Sequence, residues 1–296
     1  MLIDSGWAIP EAREQLSHAL ASAGFSPSDI RRFLITHVHR DHYTHAVALR
    51  REFGTRVTLG AGEQRSLEVA RMPGRPGLTD QFEYLHLMGG AAIVAALAPH
   101  PDAHASPHAD DWELPDDWFI GGEQIEAAGR RLDVINTPGH TQGHVVFHDV
   151  MNAALFAGDH VLPQITPSIG FDGSASVNPL RDFLRSLALV RALPDAALYA
   201  AHGPVAPSVH QRVDELVDHH GARLEQTERV VSAGVAIGLE IAAQLTWTRR
   251  ERRFADLDLF NQMLAVCETG AHLDLLESQG RLVVETVDGV RHYRLA

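Results

Sequence analysis

The stretch FLITHVHRDHYTH, residues 33 to 45, places four histidines and an aspartate directly behind an apolar run. His37, His39, Asp41 and His42 fall within six consecutive positions. His37 and His39 alternate along what reads as extended chain, so both side chains can point to one side. Asp41 and His42 follow as the chain turns into a helix and can face a neighbouring point. Neutral imidazole and carboxylate are the ligand types that suit zinc, iron or manganese. A lone histidine at a strand end is usually a core or surface residue, but four ligand-type residues this close together call for a cation.

Three later residues repeat the placement. His140 lies in NTPGHTQGH, directly after the strand-like RLDVI; Asp159 ends LFAGD; His202 ends LYAAH before Gly203 and Pro204. Each alone would be an ordinary loop-capping residue. His144 and His160 stand next to this set and have two readings, as groups behind the ligands or in contact with substrate, or as packed histidines. His45, one helical turn past Asp41, is expected to face solvent. Arg40 and Tyr43 need no chemical role. His100, His104 and His108 sit among Pro, Ala and Asp and, with His86, read as solvated residues of the insertion. Trp112 and Trp118 suit either an apolar wall over the site or core packing.

The elements needed to position these groups follow from the pattern. MLIDSG reads as a short strand, residues 10 to 23 as an amphipathic helix with Pro10 in its first turn, RFLIT as a buried strand, HAVALRREFG as a helix and RVTLG as a strand. This alternation predicts an α/β layered fold, in which ligands gather beyond strand ends. Residues 63 to 120 depart from it and read as a helical, loop-rich insertion suited to a lid, a substrate wall or an oligomer contact. Strands return from Gly121 (QIEAAG, RLDVINT, HVVFHDV, NAALFAGD), followed by the helix NPLRDFLRSLALVRAL and the strand AALYAAHG. Residues 205–235 read as a connecting helix with an apolar face at 213, 216, 217, 224, 230 and 231. Residues 236–296 read as two helices and a hairpin turning at Asp288–Gly289, completing the order of a winged helix.

The series THVHRDH, TPGH, GD and HGP, in this order over residues 1–204, resembles the metallo-β-lactamase superfamily. The resemblance implies a four-layer αβ/βα sandwich with the site along one edge. It implies two divalent ions, with zinc the first expectation and iron or manganese the alternatives. One would be held by His37, His39 and His140, the other by Asp41, His42 and His202, with Asp159 bridging. Asp41 and Asp159 would be the catalytic carboxylates, and a metal-bridging hydroxide would attack the substrate. Members of that family usually carry a strand hairpin ahead of the LIDSG element, where this chain begins. The expectation is a truncated or shorter sheet edge able to pair with another chain, as in a homodimer. The segment after HGP resembles the winged-helix appendage of some members, more loosely than the metal motifs.

Composition narrows the function. The 296 residues carry a net charge of −13, and all 25 basic residues are arginine. That balance disfavours broad binding to nucleic acid or anionic membrane. Residues 205–296 hold 10 Arg against 14 Asp plus Glu, so the tail is itself acidic despite the run TRRERRF. Cys267 is the single cysteine, which excludes an internal disulfide and fits a cytoplasmic protein. The first residues lack the pattern of a signal peptide. The leading expectation is therefore a dinuclear metal-dependent hydrolase of a small thioester, glyoxalase II-like, or of a lactone. A metal-dependent endoribonuclease using the tail for RNA is the alternative, and a DNA-binding regulator comes third. β-Lactam hydrolysis is disfavoured by the expected location.

Overall fold

The computed structural model of the protein describes residues 1–100, 109–127, 129–172 and 178–296. His104 and His108 lie outside the described residues. The first sheet is all parallel, in the order β1 (Leu2–Ile3), β2 (Arg32–Leu34), β3 (Arg56–Gly60) and β4 (Asp117–Phe119). The second runs in order β5 (Gln124–Ala127), β6 (Arg130–Asn136), β7 (Val145–Asp149), β8 (Ala154–Gly158) and β9 (Ala197–Ala200). It is antiparallel up to β8, and β9 lies parallel to β8.

The period-two alternation of the strands sorts their side chains into two cores. On β2, Leu34 points inward and joins Phe119, Leu132, Val134, Val145 and Phe147 between the sheets. Phe33 and Ile35 point outward and pack with Val57, Leu59 and the helix α2 (Arg40–Phe53) through Tyr43, Val47 and Leu49; the helix α1 (Pro10–Ser22) adds Leu16 and Leu20. On the other side, Val146, Leu155 and Leu198 are covered by α6 (Pro179–Arg191) and α7 (Val209–Ser232). Pro179 at the first position and the Asn178 side chain, accepting the Arg181 N–H at 3.0 Å, start α6. The result is the expected αβ/βα sandwich.

The expected insertion is helical in part, with α3 (Gln64–Ala70), α4 (Thr79–Leu87) and α5 (Ala91–Leu97). Its end differs from the expectation: residues 117–119 are β4, which closes the first sheet beside β3. This strand is only three residues long and follows a Pro- and Asp-rich stretch, so it carries no period of its own. Trp112 and Trp118 both pack against the outer core of the first sheet.

After α7 come α8 (Gly238–Gln244), a two-residue strand pair β10 (Thr246–Trp247) and β11 (Arg252–Arg253), α9 (Leu259–Ser278), and the hairpin of β12 (Leu282–Val287) and β13 (Val290–Leu295). Asp288 and Gly289 take φ values of 49° and 80°, as a two-residue primed turn demands. The tail shares one core with the sandwich: Met263, Val266, Leu273 and Leu276 of α9 join Leu85, Met88, Phe183 and Val213. Packing is therefore continuous across residues 204 and 235. The apolar face expected on α7 is narrower than predicted, since Val217 is 42% exposed while Val213, Leu216, Leu224 and Val231 are buried. Among the described residues no helix is long and apolar enough to cross a membrane.

Candidate metal centre

β1 and β2 run parallel, so Asp4 and the histidine cluster leave the same end of the sheet. The β2 strand hands the chain directly to α2: His39 is extended, at φ −61° and ψ 152°, and its carbonyl accepts the N–H groups of His42 and Tyr43 at 3.0 Å. The second sheet supplies its share from the loops after β6, β8 and β9, which carry His140, Asp159 and His202.

All seven expected side chains converge. Single ligand atoms of His37, His39, His140 and Asp159 lie within 4.8 Å of one another, and those of Asp41, His42 and His202 do likewise. His39 Nδ1 is 3.0 Å from His37 Nε2 and 3.1 Å from His140 Nε2. Nitrogens bound to one tetrahedral ion at 2.0–2.1 Å would stand about 3.4 Å apart. Asp159 joins the groups: Oδ2 is 3.6 Å from His140 Nε2, while Oδ1 is 3.5 Å from His202 Nε2 and 3.7 Å from His42 Nε2. Asp41 Oδ2 completes the second group, 3.4 Å from His202 Nε2.

Hydrogen bonds behind these residues set the ring tautomers. Thr36 donates its hydroxyl to Asp4 Oδ2 at 2.9 Å, so it accepts from His37 Nδ1–H at 3.0 Å and leaves Nε2 as a lone pair. His42 Nδ1–H donates to the same carboxylate oxygen at 2.9 Å, and His140 Nδ1–H donates to the Ser168 carbonyl at 2.9 Å. His144 Nε2 accepts the Asp159 N–H at 3.2 Å while Nδ1–H donates to Thr137. His144 therefore holds Asp159 from behind. His160 is buried edge-on against Phe183, 5.1 Å between rings. His45, expected in solvent, is 2% exposed and donates through Nδ1 to the Ser5 carbonyl at 3.0 Å, because α2 lies against the turn after β1. Gly158 takes a positive φ of 50°, and a Cβ there would sit 2.6 Å from Thr36 and 2.8 Å from His144 Nε2. Only glycine lets Asp159 approach this closely.

The electrostatics divide the two groups. Burial, reinforced mainly by neighbouring imidazoles, lowers His37 well below the ordinary histidine range and His39 and His140 to about 4, so these rings are neutral and ready to ligate. Burial would lower His42 too, but the charge and hydrogen bond of Asp4, with Asp159 and Asp41, outweigh it and raise His42 to about 9. His202 is raised by its hydrogen bond to Asp41. Burial opposes ionisation of Asp41, yet His202 and His42 hold its carboxyl below the usual carboxylate range. The second corner thus demands positive charge. His42 Nε2 and Asp159 Oδ1 are buried and have no hydrogen-bond partner among the described residues. Unpaired buried polar atoms are costly. Orphaned atoms, converging lone pairs and excess negative charge together fit divalent cations.

The chain belongs to the metallo-beta-lactamase superfamily. The sequence model of that superfamily matches residues 1–202. A metallo-beta-lactamase family protein from Thermus thermophilus superimposes with a TM-score of 0.77 at 28% identity, covering 99% of this chain and 89% of that one. A hydroxyacylglutathione hydrolase of Aeromonas salmonicida is 34% identical over 39% of this chain and 42% of its own length. An atrochrysone carboxyl ACP thioesterase of Aspergillus fumigatus is 26% identical over 72% of this chain and 37% of its own. The matches thus span less than half the length of these curated relatives.

Four residues with a part in the site were not singled out by the sequence pattern. Asp4 and Thr36 link two of the candidate histidines, His37 and His42, and Ser168 fixes a third, His140. Glu63, fully buried after β3, accepts the Thr141 hydroxyl beside His140 and backbone N–H groups of Val38 and Gly143. Burial and the charge of Asp172 raise its carboxyl to about 8. An acidic residue at the end of a strand paired to the histidine-bearing strand was the available signal for Asp4; the others are long-range contacts. A further group, His219, His220 and Glu268, lies between α7 and α9. There Arg223, stacked 4.7 Å over the Trp247 ring, supplies the cation that faces Glu268.

Proposed function

We propose that this protein is a dinuclear hydrolase of thioesters, with lactones as the closest alternative substrates. The observation carrying the reading is the Asp159 carboxylate, one oxygen facing each ligand group. In this reading His37, His39 and His140 would hold one divalent ion and Asp41, His42 and His202 the other, with Asp159 shared. Zinc suits the imidazole-rich first group, and the second, with its added carboxylate, also accepts iron or manganese. The ions, when bound, supply Lewis acidity and make water acidic enough to attack near neutral pH.

The protein's own part is positioning and charge. Asp41 Oδ2 and Asp159 Oδ1, both within 3.5 Å of His202 Nε2, bring two carboxylates to the second group, where they would balance the charge of a cation. Asp4 keeps His42 in the ligating tautomer, and His144, accepting the Asp159 backbone N–H, fixes the main chain that carries this carboxylate. Residues 1–204 form the catalytic unit, and 205–296 an appendage docked on it. Two relatives, named as a hydroxyacylglutathione hydrolase and an acyl-carrier thioesterase, favour the thioester bond. A panel of acyl thioesters, lactones and single-stranded RNA, tested with metal-loaded protein and Asp159→Asn, decides the class. Thioester turnover lost in the variant supports the reading; turnover in chelator-stripped protein, or cleavage of RNA alone, overturns it.

A further inference from the structure

The cavity above the metal centre is not closed by the sandwich alone. It has a volume of about 1280 Å³ and reaches from His39, Asp41, His140 and Asp159 to α3–α5 and to the first turns of α9. Ligand sites commonly measure about 300–1,000 Å³, so this one exceeds the needs of a short acyl group. Away from the metal ligands its wall is mixed: Val69, Leu78, Leu97, Phe171, Phe260 and Leu264 supply apolar surface, and Arg75, Asp80, Asp172 and Asp258 line it as well. Phe260 is 46% exposed, and it comes from the C-terminal segment, which the ligand chemistry does not require.

A short covalent path connects this wall to the metal centre. The Ser168 carbonyl accepts from His140. Two residues on, Gly170 has φ +87°, and a Cβ there would lie 2.7 Å from the Cys267 carbonyl of α9. The next carbonyl, of Phe171, accepts from the Gln81 side chain of α4 at 2.7 Å. The Phe171 ring then meets the Phe260 ring edge-on at 6.0 Å. Four residues thus run from the partner of a ligand histidine to an aromatic pair shared with the tail.

We infer that this cavity is an acyl-chain subsite: it seats a medium-length to long apolar acyl group whose carbonyl lies at the metal centre, and Phe260 of the tail with Phe171 sets the chain length accepted. The inference rests on the proposed hydrolase reading and names its substrate class. The C-terminal segment is thereby part of the substrate site. Each methylene buried in such a wall multiplies binding by about fourfold.

The test is kcat/KM for straight-chain acyl thioesters of two to twelve carbons on one thiol, with the full-length metal-loaded protein, Phe260→Ala, Phe260→Trp and Phe260→Leu. In the unaltered protein the ratio of the ten-carbon to the two-carbon ester is expected to exceed about 10. Phe260→Ala should lower that ratio about tenfold, Phe260→Trp should shift the optimum to shorter chains, and Phe260→Leu should largely retain it. Calorimetric binding of decanoate to the metal-loaded protein gives a second readout, expected to weaken about tenfold in Phe260→Ala. A flat chain-length profile, or a ratio unchanged in both Phe260→Ala and Phe260→Trp, overturns the inference while leaving the hydrolase reading intact. Decanoate binding that depends on Phe260, with no ester hydrolysed, would instead overturn the hydrolase reading.

Discussion

Replacing Asp4 by Asn isolates the role of a carboxylate that touches neither proposed cation. Asp4 accepts the Thr36 N–H at 2.7 Å, the Thr36 hydroxyl at 2.9 Å and His42 Nδ1–H at 2.9 Å. Its backbone is left-handed, at φ 55°, a conformation asparagine tolerates well, so the turn survives. The amide can still accept from the Thr36 N–H through Oδ1. Its NH₂ group then faces His42 Nδ1 and Thr36 Oγ1, and two donors meet at the imidazole. His42 must move its proton to Nε2 to accept that hydrogen bond, which removes the lone pair from the second ligand group. The loss of such supporting groups costs about 10–100-fold in metal affinity, equivalent to about 1.4–2.7 kcal/mol. The assay is competition of apo-protein against a chromophoric chelator, fitted to two steps. The variant should weaken the step assigned to the His42 group by that factor; the Thr36 hydroxyl, which fixes His37, loses its acceptor as well, so the first step is not required to stay unchanged. Two steps of unchanged affinity would refute the assignment of His42 and of its tautomer.

Other consequences are equally open to measurement. Gly158→Ala would force a Cβ into Thr36 and His144 at positive φ; strain and overpacking together cost about 2–5 kcal/mol, visible as a lowered melting temperature and lost metal. Glu63 is raised to about 8 by burial and Asp172. A carboxyl raised on folding gives stability fully present below its unfolded pKa and lost as pH rises through the folded one. Glu63→Gln should therefore gain on the unaltered protein between about pH 4.5 and 8, by about 1.4 kcal/mol for each pH unit climbed within that window; a constant difference in denaturant midpoints across it would contradict this. Cys267 is buried, and burial pushes its thiol up to about 12, so a thiol reagent at pH 8 should find no reactive group in the native protein and one equivalent after denaturation.

The convergence of the seven candidate side chains was legible in the sequence because strand ends in an α/β fold meet on one edge, and each of these residues lies at or shortly after the end of an apolar run. The layers were legible for a related reason: Phe33, Leu34 and Ile35 alternate between two cores, and Pro10 and Pro179 mark helix starts. What was missed depends on pairing between distant segments. Asp4 acquires its role only because β1 lies parallel beside β2. Glu63 matters only where β3 meets the loop of His140 and Thr141. β4 is too short to carry a period of its own. His45 reads as a solvent-facing helical residue until the turn after β1 covers it. The C-terminal helices have apolar faces of their own, and in the fold those faces extend the core of the sandwich while the first turns of α9 reach the cavity above the candidate site.

The most direct test of the central claim is the metal titration of chelator-stripped protein, followed by hydrolysis of a ten-carbon acyl thioester at each step. Turnover is expected to be absent without metal and to rise to a plateau at two equivalents of divalent ion per chain. Full turnover in stripped protein, or a plateau at one equivalent, would contradict the dinuclear assignment.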